Sequence, residues 1–214
     1  MVDVKSLKHV HCLLSGEILA EAAATALAEA MPTARLRHAY RRQAADEARH
    51  ADMFREYLYT VGAEPVDTPD LPEVSSYRRF LLDAAERGRL VTLVLGVNVA
   101  LEGLASAGLA LSAQWVEARG DDPAWVSLTR AIEHDERRHT RLATPALRTL
   151  GGGALPAEAR EVMGEVREAA VTTLAGIGGD LAAWGIDPVA LFDASIREAH
   201  PTLAGALLEP PRAA

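Results

Sequence analysis

Cysteine is almost absent. Cys12 stands alone among 214 residues, which excludes an internal disulfide and any metal cluster held by several thiolates of one chain. Aromatic residues are also scarce, 5% against 49% apolar residues in all, so a core must be filled mainly by Leu, Ala and Val, the mixture that closely packed helices use. Sustained alternation of Val, Ile and Thr is missing, and with it any argument for a strand. Basic residues are outnumbered, 22 Lys and Arg against 30 Asp and Glu. The arginines are scattered among acids, so no basic stripe exists for a phosphate backbone and nucleic acid is not an expected partner. The opening residues hold too short an apolar run for an export signal, and a reducing cytoplasm fits the lone cysteine. Leu90 to Ala113 is long and apolar enough to resemble a membrane span. It carries Asn98 and Glu102 near its middle and lacks aromatic anchors on both sides, so it reads as a buried helix and no membrane association is expected.

What remains is a series of helix-compatible stretches with clear punctuation, read as one domain over residues 1–214. The first helix is predicted from about Val4 to Met31, with Pro32 as its stop and Thr33 as the N-cap of a second that reaches about Val61. Gly62 to Ser75 holds Pro65, Pro69 and Pro72 and reads as a crossing loop that ends with Ser75 or Ser76 as a cap. An unbroken helix from Ser76 to Arg119 would be about 65 Å long at roughly 1.5 Å per residue, so a break is expected at Arg87-Gly88-Arg89. Asp121, Asp122 and Pro123 open a fourth helix that runs to Gly151-Gly152-Gly153. Pro156 opens a fifth that fades at Gly178-Gly179, and a short sixth lies between Pro188 and His200, before a proline-containing tail that is loose after Leu208. Residues 4–150 thus form the bundle core and 156–205 a C-terminal helical extension.

The strongest signal is a repeated pentapeptide. Asp46-Glu47-Ala48-Arg49-His50 recurs as Asp135-Glu136-Arg137-Arg138-His139, identical at four of five positions. Residues three apart share a helix face, so each Glu and His can grip one cation together, carboxylate oxygen and imidazole nitrogen. One copy alone would describe a solvated surface with local ion pairs. Two copies differ, because the same-face neighbours Tyr40, Ala44, Ala51 and Phe54 of the first, and Ile132 and Ala143 of the second, turn both faces inward. Glu102 is the only charged residue between Arg89 and Glu117. An ionised carboxylate buried there without compensation costs several kcal/mol at least, so it must be neutral, paired or bound to metal. The first helix offers Glu17, between Leu13-Leu14 and Ile18-Leu19, with Glu21 one turn further as its rival.

Two helices that each supply one Glu and two that each supply Glu-x-x-His form the ligand pattern of di-iron and di-manganese carboxylate bundles. Over about residues 4 to 150 the sequence resembles that ferritin-like superfamily, and the doubled Asp-Glu-x-Arg-His form is most similar to its oxygen-activating oxidase and oxygenase branches. The resemblance implies an all-α, ferritin-like four-helix bundle with one or two additional C-terminal helices. It implies Glu47 and Glu136 as bridges between two metals, with Glu17 and His50 completing one shell and Glu102 and His139 the other. Asp46 and Asp135 would accept hydrogen bonds from the outer ring nitrogens of the histidines across the bundle, and Arg49 and Arg138 would hold those aspartates. Ordinary surface pairing is the plain alternative for these four. Phe54 stands where radical-forming reductase subunits carry a tyrosine, which speaks against a stored tyrosyl radical. Ser106, one turn after Glu102, could donate a hydrogen bond to bound oxygen or simply ease helix contact.

His9, His11 and Cys12 read as incidental, since His9 and His11, two apart, do not share a helix face; His134 projects sideways from Glu136, and Trp115, Trp125 and Trp184 read as fillers of helix junctions. The implied function is an oxidase or oxygenase that uses two iron ions, or manganese or a mixed pair, with dioxygen as co-substrate, a small-molecule substrate and an external electron donor. A homodimer is compatible with it. The rival is a ferritin-like ferroxidase that handles iron for storage; a further region of about 60 residues after the bundle sets the chain apart from the shorter cage-forming bacterioferritins.

Overall fold

The computed structural model describes residues 4–67, 72–120, 122–177 and 187–208. They form helices α1 (Val4–Ala30), α2 (Ala34–Thr60), α3 (Pro72–Glu86), α4 (Leu90–Val94), a π-helical segment (Leu95–Leu101), α5 (Glu102–Arg119), α6 (Pro123–Thr140), α7 (Ala143–Leu150), α8 (Ala159–Ile177), α9 (Pro188–Ala199) and α10 (Pro201–Leu208). The fold is all-α, with no strand among the described residues.

Local chemistry sets most boundaries. Thr33 caps α2 by accepting the Leu36 N–H, Asp122 caps α6 by accepting that of Trp125, and Pro123 fills the first turn behind it. Asp121, named beside Asp122 as part of this cap, lies outside the described residues, as do Pro69, Gly178, Gly179, Trp184 and the tail after Leu208. The expected break at Arg87-Gly88-Arg89 is present, with Gly88 at φ 64° making the turn between α3 and α4.

Four boundaries depart from the sequence reading. The third helix begins at Pro72, so Ser75 and Ser76 sit inside it rather than capping it; proline suits a first turn, where its missing N–H is not needed. The fourth helix is interrupted between Thr140 and Ala143, because Pro145 cannot donate to the Arg141 carbonyl and its ring crowds it. The fifth starts at Ala159, after a turn closed by its N–H on the Pro156 carbonyl. After His200 the chain forms α10, Pro201 opening a new helix instead of ending the fold. The π-helical segment had no counterpart in the sequence reading.

Helix α1 packs along α2 and α5 along α6, and the two pairs meet where α2 faces α6 and α1 faces the α4–π segment. Helices α3, α8 and α9 cover the π segment and its flanks, and α10 packs on α8 and α9. The span Leu90–Arg119 is apolar enough to cross a membrane by length and composition, as is Leu7–Ala30; the window in Leu90–Arg119 is 61% buried within the fold.

The buried apolar residues form two separate clusters. One holds Leu19, Leu27, Tyr40, Leu81, Val97, Ala100, Ala143 and the inner faces of α8 to α10. The other holds Leu14, Ala51, Phe54, Leu58, Leu109, Trp125 and Ile132. Along the chain a buried acid stands at each passage from one to the other: Glu17 between Leu14 and Leu19, Glu47 between Tyr40 and Ala51, Glu102 between Ala100 and Leu109, and Glu136 between Ile132 and Ala143, the last at the start of α7.

Gly96 lets α3 approach the π segment. A Cβ there would collide with Leu81 Cδ2, and the Gly96 carbonyl accepts the Tyr77 hydroxyl at 2.8 Å. Gly96→Ala therefore gains about 1 kcal/mol of helix propensity and loses about 1 to 3 kcal/mol by overpacking. Combined with Leu81→Ala, which vacates the clashing atoms, it should be better tolerated than the two single changes sum to. Urea denaturation of the four proteins measures that coupling, and additive effects would show that the two side chains do not compete for space.

Candidate metal centre

The acid layer that divides the core also contains both histidines. Glu47, His50, Glu136 and His139 are each at most 1% exposed, Glu102 2% and Glu17 5%. Glu21, the rival of Glu17, is half-buried and outside this cluster. Nδ1 of His50 lies 3.4 Å from Glu17, 3.2 Å from Glu47 and 3.2 Å from Glu136. Nδ1 of His139 lies 3.0 Å from Glu47, 3.7 Å from Glu102 and 3.6 Å from Glu136. Two sets of donors result, Glu17, Glu47, His50 and Glu136, and Glu47, Glu102, Glu136 and His139, each with its ligand atoms within 4.8 Å of one another. They share Glu47 and Glu136, one from each pentapeptide.

Proximity here is not hydrogen bonding. Nδ1 of both histidines, both Glu136 oxygens and Glu47 Oε2 are buried without a hydrogen-bond partner. A buried polar atom left unpaired costs about 1 to 3 kcal/mol, more when charged. Five such atoms converging on one spot are what a cation would satisfy, and hard oxygen plus imidazole is the donor set of first-row divalent metals.

The outer faces of the imidazoles are held differently. His50 Nε2 meets Asp135 Oδ2 at 3.4 Å and His139 Nε2 meets Asp46 Oδ2 at 3.5 Å, each across the bundle. Since a carboxylate only accepts, a ring hydrogen sits on Nε2, which leaves Nδ1 as the nitrogen that can turn a lone pair to a cation once its own proton is lost. Arg49 donates to Asp135 at 2.6 Å and to its own helix's Asp46 at 3.1 Å; Arg138 donates to Asp46 at 2.7 Å and pairs with Asp135 at 2.8 Å. The four form a closed ring over the site.

Two polar residues were missed by the sequence reading. Gln43 donates to Glu47 Oε1 at 2.9 Å and to Glu102 Oε1 at 2.8 Å. Asn98 donates to Gln43 Oε1 at 2.9 Å and to the His139 carbonyl at 3.2 Å, and its own Oδ1 accepts the Tyr40 hydroxyl at 2.9 Å. The available signal was spacing, since each stands four residues before a buried acid on the same face. Ser106 lies one turn beyond Glu102 on α5, half-buried. His11 is tied to the Leu7 and Glu64 carbonyls, and Trp125 packs against Phe54 and Tyr57.

No family's sequence model matches the chain, and no curated protein matches it in sequence. Among solved structures it is similar to a protein with aldehyde deformylating oxidase activity from Synechococcus, at a TM-score of 0.76 and 22% identity, over 93% of this chain and 92% of that one. The likeness shows the fold, an all-α, ferritin-like bundle shared over nearly the full length.

The electrostatics of the metal-free layer fix its pH response. Burial holds the Glu17 carboxyl well above its ordinary range, and the neighbouring Glu136 and Glu47 carboxylates add to this against His50. Burial opposes charge on His50 as well, but Glu136, Glu17 and Glu47 outweigh it and push the imidazole up to about 12. Glu136 and Glu47 do the same for His139, up to about 10. Glu47 is drawn down to about 2 despite its burial, by His139 and His50; Asp135 falls to about 2, Arg49 and His50 outweighing its burial, and Asp46 is lowered by Arg49 and Arg138. Raised groups bind protons more tightly when folded, so their stabilisation is full in acid and lost as pH rises through and beyond the ordinary values of 4.5 for Glu and 6.5 for His. Lowered acids give stability that is lost as pH falls below about 4. Metal-free protein should therefore be most stable near pH 4.5, below the usual neutral optimum. Urea midpoints from pH 2.5 to 9.5 measure this, and a maximum above pH 7 would mean that the two histidines are not charged in the metal-free layer.

Proposed function

We propose that this chain is a non-haem oxidoreductase that binds two iron ions, or manganese or a mixed pair, and uses dioxygen to oxidise a small organic substrate. The observation that carries the reading is the set of five unpartnered buried donor atoms arranged as two groups with Glu47 and Glu136 in common. Glu17 and His50 would complete one position, Glu102 and His139 the other. Bound redox-active ions would supply the electrons and Lewis acidity that dioxygen reduction requires, with an external donor restoring the electrons.

The chain's own residues have defined parts. Asp135 and Asp46 keep the histidine hydrogens on the outer nitrogens, and Arg49 and Arg138 hold those aspartates in place. Gln43 fixes one oxygen each of Glu47 and Glu102. The two ends of the site differ in character. Gln43, Asn98 and Tyr40 close one end with polar groups, while Leu14, Phe54, Leu109 and Ile132 line the other. The apolar end suits the hydrocarbon part of a substrate and keeps water from the reacting atoms. An aldehyde is the substrate class favoured by the likeness to an aldehyde deformylating oxidase, and a cytoplasmic setting agrees with the single cysteine.

Anaerobic titration with ferrous ion should saturate near two per chain, with the protein remaining a small assembly on gel filtration. Continued loading into a large shell would instead mean iron storage, and absence of binding would remove the metal site. Glu102→Ala should weaken one position more than the other, and Asp135→Asn should leave the fold intact while lowering affinity by about 10 to 100-fold. Because His50, His139 and Glu17 must lose protons to bind, affinity should rise with pH and loading should move the stability maximum upward from pH 4.5.

With iron, dioxygen and a chemical reductant, a medium-chain aldehyde should be consumed with loss of its formyl carbon, followed by mass spectrometry. Aldehyde left intact while other substrates are oxidised would keep the oxidase and discard the aldehyde.

A further inference from the structure

The joint between α9 and α10 reaches the metal layer through one histidine. His200 closes α9 with its N–H on the Ile196 carbonyl and starts α10 by accepting the Leu203 and Ala204 N–H groups on its own carbonyl. Its side chain is buried, 4% exposed, and Nε2 meets the Asn98 backbone carbonyl at 3.0 Å. That carbonyl only accepts, so the ring nitrogen donates.

Asn98 is the middle residue of the π segment Leu95–Leu101, and α geometry resumes at Glu102. The wide-turn bonding still holds at Glu102, whose N–H reaches five residues back to the Val97 carbonyl. Passing from wide to ordinary turns leaves a carbonyl short of an in-helix donor, which is why such turns survive only where the surroundings supply one. The next carbonyl along, that of Asn98, takes its hydrogen from His200. The Asn98 side chain meanwhile joins Gln43, Tyr40 and the His139 carbonyl, and Gln43 joins Glu102. Closing the π turn to ordinary α geometry would rotate one side of the helix against the other by about 100°, so Glu102 and the helix before it could not both keep their present faces.

We propose that His200 is a positioning residue for the second metal position: by holding the Asn98 carbonyl it locks the π turn, and with it Glu102, making the C-terminal helices part of the metal centre. The geometry does not require His200 to touch metal or substrate. The role in metal binding rests on the two-metal reading above, but the lock itself concerns only hydrogen bonds within the chain.

The test uses the full chain with His200→Leu, which cannot donate, and His200→Gln, which can. Cobalt(II) alone is the metal probe, read by its visible absorption, and amide hydrogen exchange of metal-free protein is read by mass spectrometry. His200→Leu should weaken the position that Glu102→Ala weakens, by about tenfold or more, alter its absorption, and leave the other within about twofold. His200→Gln should recover most of the affinity. In metal-free protein, exchange in His200→Leu should accelerate over residues 95–102 beyond any rise elsewhere. Equal loss at both positions, no loss, or failure of glutamine to rescue overturns the metal role; uniform acceleration of exchange overturns the lock. If wild-type protein binds no cobalt, the two-metal reading falls and the exchange pattern alone decides whether the lock exists. Should leucine prevent folding, His200→Ala, which only removes atoms, is read in the same way.

Discussion

Four carboxylates and two imidazoles buried in one layer are the constraint on which the rest of this molecule depends. Moving one carboxylate out of water costs several kcal/mol even after relaxation, and the layer contains Glu17, Glu47, Glu102 and Glu136 together. Like charges so close cannot all persist unless something positive stands among them, either protons held by His50 and His139 or cations bound in their place. The layer also cuts the apolar core in two, so the bundle forfeits some packing at its centre. Compensation comes from outside the layer, from the Asp46, Arg49, Asp135 and Arg138 ring on one flank and the Gln43, Asn98 and Tyr40 chain on another. A stability set by this arrangement varies with pH and metal, whereas a bundle with leucines at the same positions would respond to neither.

The doubled pentapeptide suggests two equal halves, yet the halves are not equal. Four residues before Glu47 stands Gln43, and four before Glu136 stands Ile132; four before Glu102 stands Asn98, and four before Glu17 stands Leu13. Because α1 and α2 run oppositely, as do α5 and α6, the two polar members of this set fall at one end of the layer and the two apolar members at the other. The asymmetry gives the two donor sets different surroundings although their residue types match. Glu102 is held by an amide that also holds Glu47, whereas Glu17 is flanked by apolar side chains and burial holds its carboxyl well above the ordinary range.

How much of this was legible follows from which interactions are local. The number and order of the bundle helices, the Thr33 and Asp122 caps and the break at Gly88 depend on neighbours within a turn, and sequence spacing exposes them. The ten residues of the acid layer and its ring were legible because the pentapeptide occurs twice and because Glu102 is isolated in a long apolar stretch. The crossing of Asp46 to His139 and Asp135 to His50 follows from pairing two copies face to face. The π turn was not legible, because it is stabilised by His200, 102 residues away. The same holds for the second bond of Gln43, to Glu102, and for α10, where proline marks a start that looks like an end. Pro145 was a local signal, but the regular spacing on either side concealed it.

The same division between local and distant demands explains how the fold is shared with a protein only 22% identical. Leu, Ala and Val can exchange places in the two apolar clusters at about 1.5 kcal/mol or less when volume is kept, so most core positions place little restriction on sequence. The acid layer and its ring allow no such exchange, since replacing one partner strands another charge in a dry interior. Identity is therefore expected to concentrate in a small set of scattered positions that a comparison averaged over the whole chain dilutes. On that account His200, Asn98, Gln43 and Tyr40 belong with the acid layer rather than with the apolar core. Their hydrogen bonds are as exacting as those of the ring, and in the π segment that precedes Glu102 they are joined by Tyr77, whose hydroxyl donates to the Gly96 carbonyl.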